Sequence, residues 1–506
     1  MRILVAVILA LGLAQPAQAA WRKASSENFV IYANDSEADL VRFSQDLESY
    51  HQALEILTGT DLPAPSPSNR VTIFVVGNWH DVGKLYGARN VAGFYVPRAG
   101  ASRAFIPNLR FRSREPDFSL TVLLHEYAHH FQAITSRVAL PSWISEGSAE
   151  FYASAKFEKD GTLAIGRPAN HQAFALLNAP RIPLEILLDY DNDENERARR
   201  GGDLHGRSWL LFHYLYFADD RSGQLREYGH ALARGVRPRD AANDAFGDLG
   251  RLENELDTYL KRNKFQSLQI ESAHFTPVPT EITELSEGHG KVMDYVIRSQ
   301  RGVTREEALE IVPKVRAIAE RYPDDPAVLA ALAEAEHDAG FDRVAIAAAD
   351  RALALDPENV NALVQKGLAQ FRLSDEAPDA PDAYADAVRT FSQLNAFKND
   401  HPIPLIHYFR ATMAREGRAS ETARAAIERA AQLAPFDHSL WLMVAAMQAS
   451  EGKIALARQS LTPIAANPHE GLATVAQVMM KALDGQPEGE PLEIAQSPID
   501  EDKTAD

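Results

Sequence analysis

Residues 119–150 read SLTVLLHEYAHHFQAITSRVALPSWISEGSAE. His125 and His129 are four apart within an apolar run. On a helix they therefore lie on one face, one turn above the other, and both imidazoles reach a single divalent ion. Glu126 is turned about a quarter of the way round the helix from His125. It can flank that ion without ligating it and accept a proton from water. Glu146 follows His129 by seventeen positions, with a helix end and a turn at 138–141 between them. A second helix can then lay Glu146 beside the histidines as a third ligand. Three protein ligands leave a fourth position for water, as catalytic zinc requires. The chain has no cysteine, so any metal must be held by His, Asp and Glu. One Zn²⁺ is the expected cofactor. The alternative for His125 and His129 is a pair of core or surface histidines.

Glu150 lies four residues after Glu146 on the same face. It is placed to accept the Nδ1 proton of His125 and fix that ring; the alternative is an exposed helix charge. Gly147 removes a side chain where helices must approach. His130 is rotated off the ligand face and reads as structural or as a support behind the ligands.

Upstream, residues 20–118 alternate strands and helices. Phe29 to Tyr32 and Val71 to Val76 are apolar, strand-like runs. Between them Leu40, Phe43, Leu47, Tyr50 and Leu54 carry helical spacing, closed by Gly59. Residues 93–106 read as a hairpin around Arg98-Ala99-Gly100-Ala101. Downstream, residues 119–270 are mainly helical, with helices expected at 203–217 and 222–262. Asp189, Asp191 and Asp193 have a calcium-like spacing, but no Gly sits where an EF-hand turn needs one. A solvated loop is the preferred reading there.

Residues 271–285 read as a linker. Pro326, Pro357, Pro402, Pro435 and Pro468 then recur at intervals of 31 to 45 residues. Ala/Leu-rich helix pairs lie between them, with Gly340, Gly417 and Gly452 near the internal turns. The period near 34 and the run Ala352 to Asn359 resemble tetratricopeptide repeats over 286–484. Such units bury their apolar faces only by stacking into a solenoid. Residues 485–506 are polar and rich in Pro and Asp, and read as a disordered tail.

Met1 and Arg2, an apolar run from Ile3 to Ala14 and Ala17-Gln18-Ala19 make a secretory signal peptide over 1–19. No later stretch is long and apolar enough to span a bilayer. The expectation is an exported chain, periplasmic in a bacterium, with no transmembrane segment after cleavage. Lys and Arg number 52 and Asp and Glu 70, a net charge of −18. That balance excludes a general nucleic-acid binder, which needs a basic surface.

H-E-x-x-H followed by W-x-x-E-G-x-A-E resembles the gluzincin zinc metallopeptidases, in particular peptidase-MA-like families of exported bacterial proteins. The likeness covers about residues 25–265 and includes Gln132 and the run Leu140 to Trp143. It implies an α+β metallopeptidase-like domain, a small sheet plus zinc-binding helices, ahead of the α-helical solenoid. It implies His125, His129 and Glu146 as metal ligands, Glu126 as general base, and a sheet edge that binds extended peptide, for which residues 93–106 are the candidate. Related enzymes supply an oxyanion donor from a later helix. His205 is the best candidate, with His213 and Tyr214 competing and a plain surface role for His205 equally open. Two departures stand out. Thermolysin-type members carry Asp where this chain has Glu150. The aminopeptidase G-x-M-E-N motif has no match, which leans toward endopeptidase action.

The expected function is an exported zinc metallopeptidase. Peptide or protein is its substrate, and the repeats bind a protein partner or substrate. The alternatives are a non-catalytic periplasmic scaffold with a relic metal fold, or a structural zinc site closed by a fourth side chain.

Overall fold

The structure is a computed structural model. It describes residues 20–89, 91–108, 117–136, 138–191, 197, 200–378, 380, 382–466 and 472–492. The expected signal peptide, most of the expected tail, Asp193 and Pro468 lie outside these residues.

Alternating burial makes the first strands. Strand β1 is Arg22–Ser25, and β2 (Phe29–Ala33) buries Phe29, Ile31 and Ala33 on one face. Helix α1 (Glu37–Thr58) starts where the Ser36 side chain accepts from the Asp39 N–H and stops at Gly59, whose φ is 66°. The five apolar residues of its expected stripe are all buried. It crosses over to β3 (Val71–Val75), which pairs parallel to β2. After α2 (Trp79–Tyr86) come β4 (Phe94–Val96) and β5 (Arg103–Ile106), paired antiparallel as Phe94 with Phe105 and Val96 with Arg103. β5 lies parallel to β3.

The 93–106 hairpin therefore ends the sheet, and β4 is its terminal strand. Among the described residues the order is β4-β5-β3-β2-β1-β9. The last of these corrects an expectation. Residues 271–285 are not a bare linker, because Glu281–Glu284 forms β9 and pairs antiparallel with β1, Ser25 opposite Glu281.

The apolar stripes of the next helices pack under this sheet. Helix α3 (Phe118–Thr135) carries His125 and His129, and the Asp117 side chain caps it. It is fastened to α1, since the Tyr50 hydroxyl donates to the Leu124 carbonyl at 3.1 Å and His51 Nδ1 meets the Tyr127 hydroxyl at 2.8 Å. Helix α4 (Ser142–Ala153) carries Glu146 and Glu150. A second small sheet joins β6 (Lys156–Phe157), β7 (Leu163–Ile165) and β8 (Leu268–Ile270). Short helices α5 (Ala173–Asn178) and α6 (Leu184–Leu187) lead to α7 (Leu204–Phe217), which carries His205. Helices α8 (Gln224–Ala233), α9 (Pro238–Phe246) and α10 (Leu249–Leu260) complete the N-terminal half. One continuous core runs from Ile31 and Ile73 through Leu124 and Trp143 to Leu210 and Leu256.

The remaining helices stack in pairs: α11 (Glu287–Arg301) with α12 (Arg305–Arg321), α13 (Pro326–Asp338) with α14 (Asp342–Leu355), and α15 (Val360–Asp375) with α16 (Ala385–Phe397). Two more follow, α17 (Pro402–Glu416) with α18 (Glu421–Leu433) and α19 (His438–Ser450) with α20 (Ile454–Ala465), before a final α21 (Ala473–Ala482). Small side chains let the helices nest, as in the cluster Leu329, Ala333, Ala349 and Ala352. Pro326 and Pro402 occupy first turns, where the missing N–H costs nothing. Gly340, Gly417 and Gly452 take positive φ at the turn inside a pair, as expected. The repeat-like half is thus a helical array. Among the described residues no helix is long and apolar enough to cross a membrane.

Candidate metal centre

Helical spacing brings the two imidazoles of α3 together, His125 Nε2 and His129 Nε2 standing 3.0 Å apart. The turn before α4 brings Glu146 against them. Its Oε2 lies 3.3 Å from His125 Nε2 and 3.4 Å from His129 Nε2. A third imidazole joins from α7, with His205 Nε2 at 3.3 Å from the same oxygen. His125, Glu146 and His205 offer ligand atoms all within 4.8 Å of one another.

Two observations test whether this donor set suits a metal. Ligands at about 2.0–2.2 Å from a tetrahedral ion stand about 3.3–3.6 Å apart, and the contacts to Oε2 fall in that range. Glu146 Oε2 is also buried and has no hydrogen-bond partner. Three imidazoles face it at ion-pair distance, yet none is aligned to donate. A buried carboxylate oxygen left without a partner costs more than the ~1–3 kcal/mol of a neutral group; a cation at this point satisfies it. The residues present fit one Zn²⁺.

Electrostatics agree with an anionic Glu146. Burial pushes its carboxyl up, but His125, His129 and His205 outweigh this and hold it well below the usual carboxylate range. Burial lowers the His129 imidazole, and Glu146 and Glu126 reverse that, raising it to about 9. Glu126 is half-buried and makes no hydrogen bond or ion pair to the described residues.

The supporting contacts differ from the sequence expectation. Glu150 is buried, which removes the exposed-charge alternative. Its Oε1 stands 3.6 Å from His125 Nδ1, beyond hydrogen-bond reach. The carboxylate is held instead by His171 Nε2 at 2.6 Å and by Gln172 Nε2, which donates to Oε1 at 2.7 Å. Nothing in the periodicity around His171 signals this. His129 Nδ1 lies 3.4 Å from both Gln132 Oε1 and Ser145 Oγ. Gln132 also donates to the Ser145 carbonyl and to Ser148 Oγ, stitching α3 to α4.

Gly147 marks a close approach, but the partner is α7. A Cβ there would sit 2.5 Å from the Ser208 carbonyl oxygen. Gly147→Ala is expected to force α4 and α7 apart and cost about 1–3 kcal/mol. Thermal unfolding of the purified chain measures this; an unchanged midpoint would mean that the two helices do not touch there.

Of the three competing donors only His205 reaches the centre. Its helix is capped by Asp203, which accepts from the Gly206 N–H at 3.0 Å. Tyr214 donates to Glu255 at 3.1 Å. His213 is fully buried between the Tyr259 hydroxyl and the Gly166 carbonyl. Burial pushes its imidazole down to about 4. An unfolded histidine titrates near 6.5, so the neutral His213 supports the fold fully above that pH. The contribution, about 3 kcal/mol, is lost as pH falls from 6.5 through 4. A His213→Phe variant should be less stable at pH 7 but lose less stability between pH 6.5 and 4.5. Parallel urea midpoints for the two proteins would refute this.

Of the calcium-like trio, Asp191 receives the Ser142 N–H at 2.9 Å and caps α4, and Asp193 lies outside the described residues. His130 is structural, as expected. It is buried, its Nδ1 lies 2.6 Å from the Tyr95 hydroxyl, and burial lowers it to about 3.

No known family model and no curated protein sequence matches the chain. Among solved structures, two of those that match are of MamA: an ArsTM double mutant of the RS-1 protein, and residues 41 to the end of MamA from Desulfovibrio magneticus RS-1. Each is 17% identical, with 39% of this chain and 98% of that chain covered and a TM-score of 0.28. A likeness of that size bears on neither fold nor function.

Proposed function

We propose that the chain is an exported zinc-dependent peptidase of gluzincin type, acting within extended peptide or protein segments, with the helical array as an interaction module. The observation that carries this is the orphaned Glu146 Oε2 facing His125 and His129 at ligand spacing, with Glu126 close enough to raise the His129 imidazole. When bound, Zn²⁺ supplies Lewis-acid polarisation of a carbonyl and makes water acidic near neutral pH. His125, His129 and Glu146 would hold the ion, while Gln132 and Ser145 steady the His129 ring. Glu126 takes the proton of the attacking water and passes it to the leaving amine. His205 is the most solvent-exposed of the three imidazoles, its side chain 43% exposed against 13% for His125. It donates to the oxygen on which charge develops. The side of β4 away from β5, unpaired among the described residues, receives an extended peptide by strand addition.

A second reading rests on one observation. His205 Nε2 is as near to Glu146 Oε2 as the other two imidazoles are, so four side chains could close the coordination. The chain would then be a scaffold with a structural ion. The deciding experiment takes purified residues 20–506, measures metal by mass spectrometry and incubates the protein with an unfolded polypeptide. One zinc per chain with cleavage abolished by a chelator supports the peptidase. One zinc without cleavage supports the structural ion. Absence of zinc after reconstitution overturns both.

A further inference from the structure

The face of the array built by the first helix of each pair meets the loop between β4 and β5. Ala99 donates its backbone N–H to Asp437 Oδ2 at 2.8 Å. Its side chain is buried in an apolar cluster with Ile406, Phe409, Phe436 and Leu440. Gly100 has φ 78°, and a Cβ there would lie 3.1 Å from His401 Cε1 and 3.2 Å from Ile403 Cγ1. Arg103 donates to Gln300, Gln300 donates to Glu334, and Glu334 accepts from Asn361 at 3.0 Å. Gln300, Glu334, Asn361, Ile403 and the caps His401 and Asp437 all belong to α11, α13, α15, α17 or α19, the first members of their pairs. These are the contacts of a bound peptide: one main-chain N–H read by a carboxylate, small residues inserted, and a flanking arginine held by a half-buried glutamine that the buried Glu334 backs.

The same cluster also touches the metal-bearing helix. Ala133 and Ile134, at the end of α3, pack against it. The His130 ring lies 4.5 Å from the Phe436 ring while His130 holds Tyr95 of β4. One surface of the array therefore contacts both the loop that follows β4 and α3, whose His130 holds Tyr95 of β4.

We propose that the ligand of this face of the array is the chain's own 97–102 loop, and that the array is a clamp setting edge strand β4 against α3. Asp437 is then a positioning residue. An outside peptide that uses this face must displace the loop and loosen β4. The consequence for catalysis rests on the peptidase reading; the clamp itself does not.

The test is Asp437→Asn in the full mature chain. Asn keeps the cap on the Ser439 N–H, which Asp437 Oδ1 now accepts, but the NH2 that replaces Oδ2 is a donor and cannot accept from the Ala99 N–H. Hydrogen exchange followed by mass spectrometry should show residues 94–106 exchanging at least tenfold faster, with zinc content and thermal midpoint unchanged. Gly100→Val attacks the same contact from the loop side and leaves the array intact, so it serves where the first variant folds poorly. A labelled peptide of residues 95–104 should bind Gly100→Val and not the wild type. Unchanged exchange over 94–106 in both variants, or equal peptide binding to variant and wild type, overturns the clamp. If exchange rises and no form cleaves peptide, the clamp stands and the peptidase reading falls. If the wild type cleaves, KM should rise more than kcat falls.

Discussion

Glu126→Gln should keep one zinc per chain and lower peptide hydrolysis by about 10²–10⁴-fold, the usual contribution of a positioned general base. That range corresponds to about 2.7–5.5 kcal/mol of barrier. Glutamine has the same shape but cannot take a proton near neutral pH. Glu126 touches no described residue by hydrogen bond or ion pair, so the exchange should leave the fold and the ligands undisturbed. The paired measurements are metal content by mass spectrometry and turnover of a quenched fluorescent peptide. Equal turnover by the two proteins would remove Glu126 from the chemistry. Loss of zinc would instead make it part of the ion's binding.

His205→Ala separates the two readings of the centre. The expected result is retained zinc with turnover lowered by about 10²–10³-fold, the cost of deleting one oxyanion donor. Its side chain is the most exposed of the three imidazoles, so removing it opens the site without collapsing it. Glu146→Gln gives the contrast. It removes the charge that faces all three rings, and zinc affinity should fall by more than the ~10–100-fold typical of residues that merely support ligands. If His205→Ala loses zinc as Glu146→Gln does, His205 is a fourth ligand and the ion is structural. If turnover rises, His205 blocks the position it was expected to serve.

The parts of the site legible in the chain are those joined by local geometry. His125 and His129 share a face because four residues make about one turn, and Glu146 is one reversal away. His171 and Gln172 were invisible for the opposite reason. They lie some twenty residues from Glu150 in an irregular segment, and only the path of the chain after β7 brings them to its carboxylate. Order along the chain put His205 ahead of His213 and Tyr214 but could not separate it from a plain surface role. All three share one helix, and the packing of α7 turns His213 into the core and Tyr214 toward Glu255 while His205 faces Glu146. The hairpin was legible from its apolar runs, but its engagement with Asp437 joins positions 338 residues apart.

Periodicity and spacing alone placed two imidazoles on one face of a helix, a carboxylate on the next, and paired helices of small residues downstream. These are short-range properties, set by helical rise and by which residues seek burial. Tertiary packing decided the rest: that a third imidazole arrives, that residues 281–284 close the sheet against β1, and that the array grips the hairpin. Each depends on where distant surfaces meet, and a one-dimensional pattern carries no information on the angle at which two helices or a helix and a loop come together.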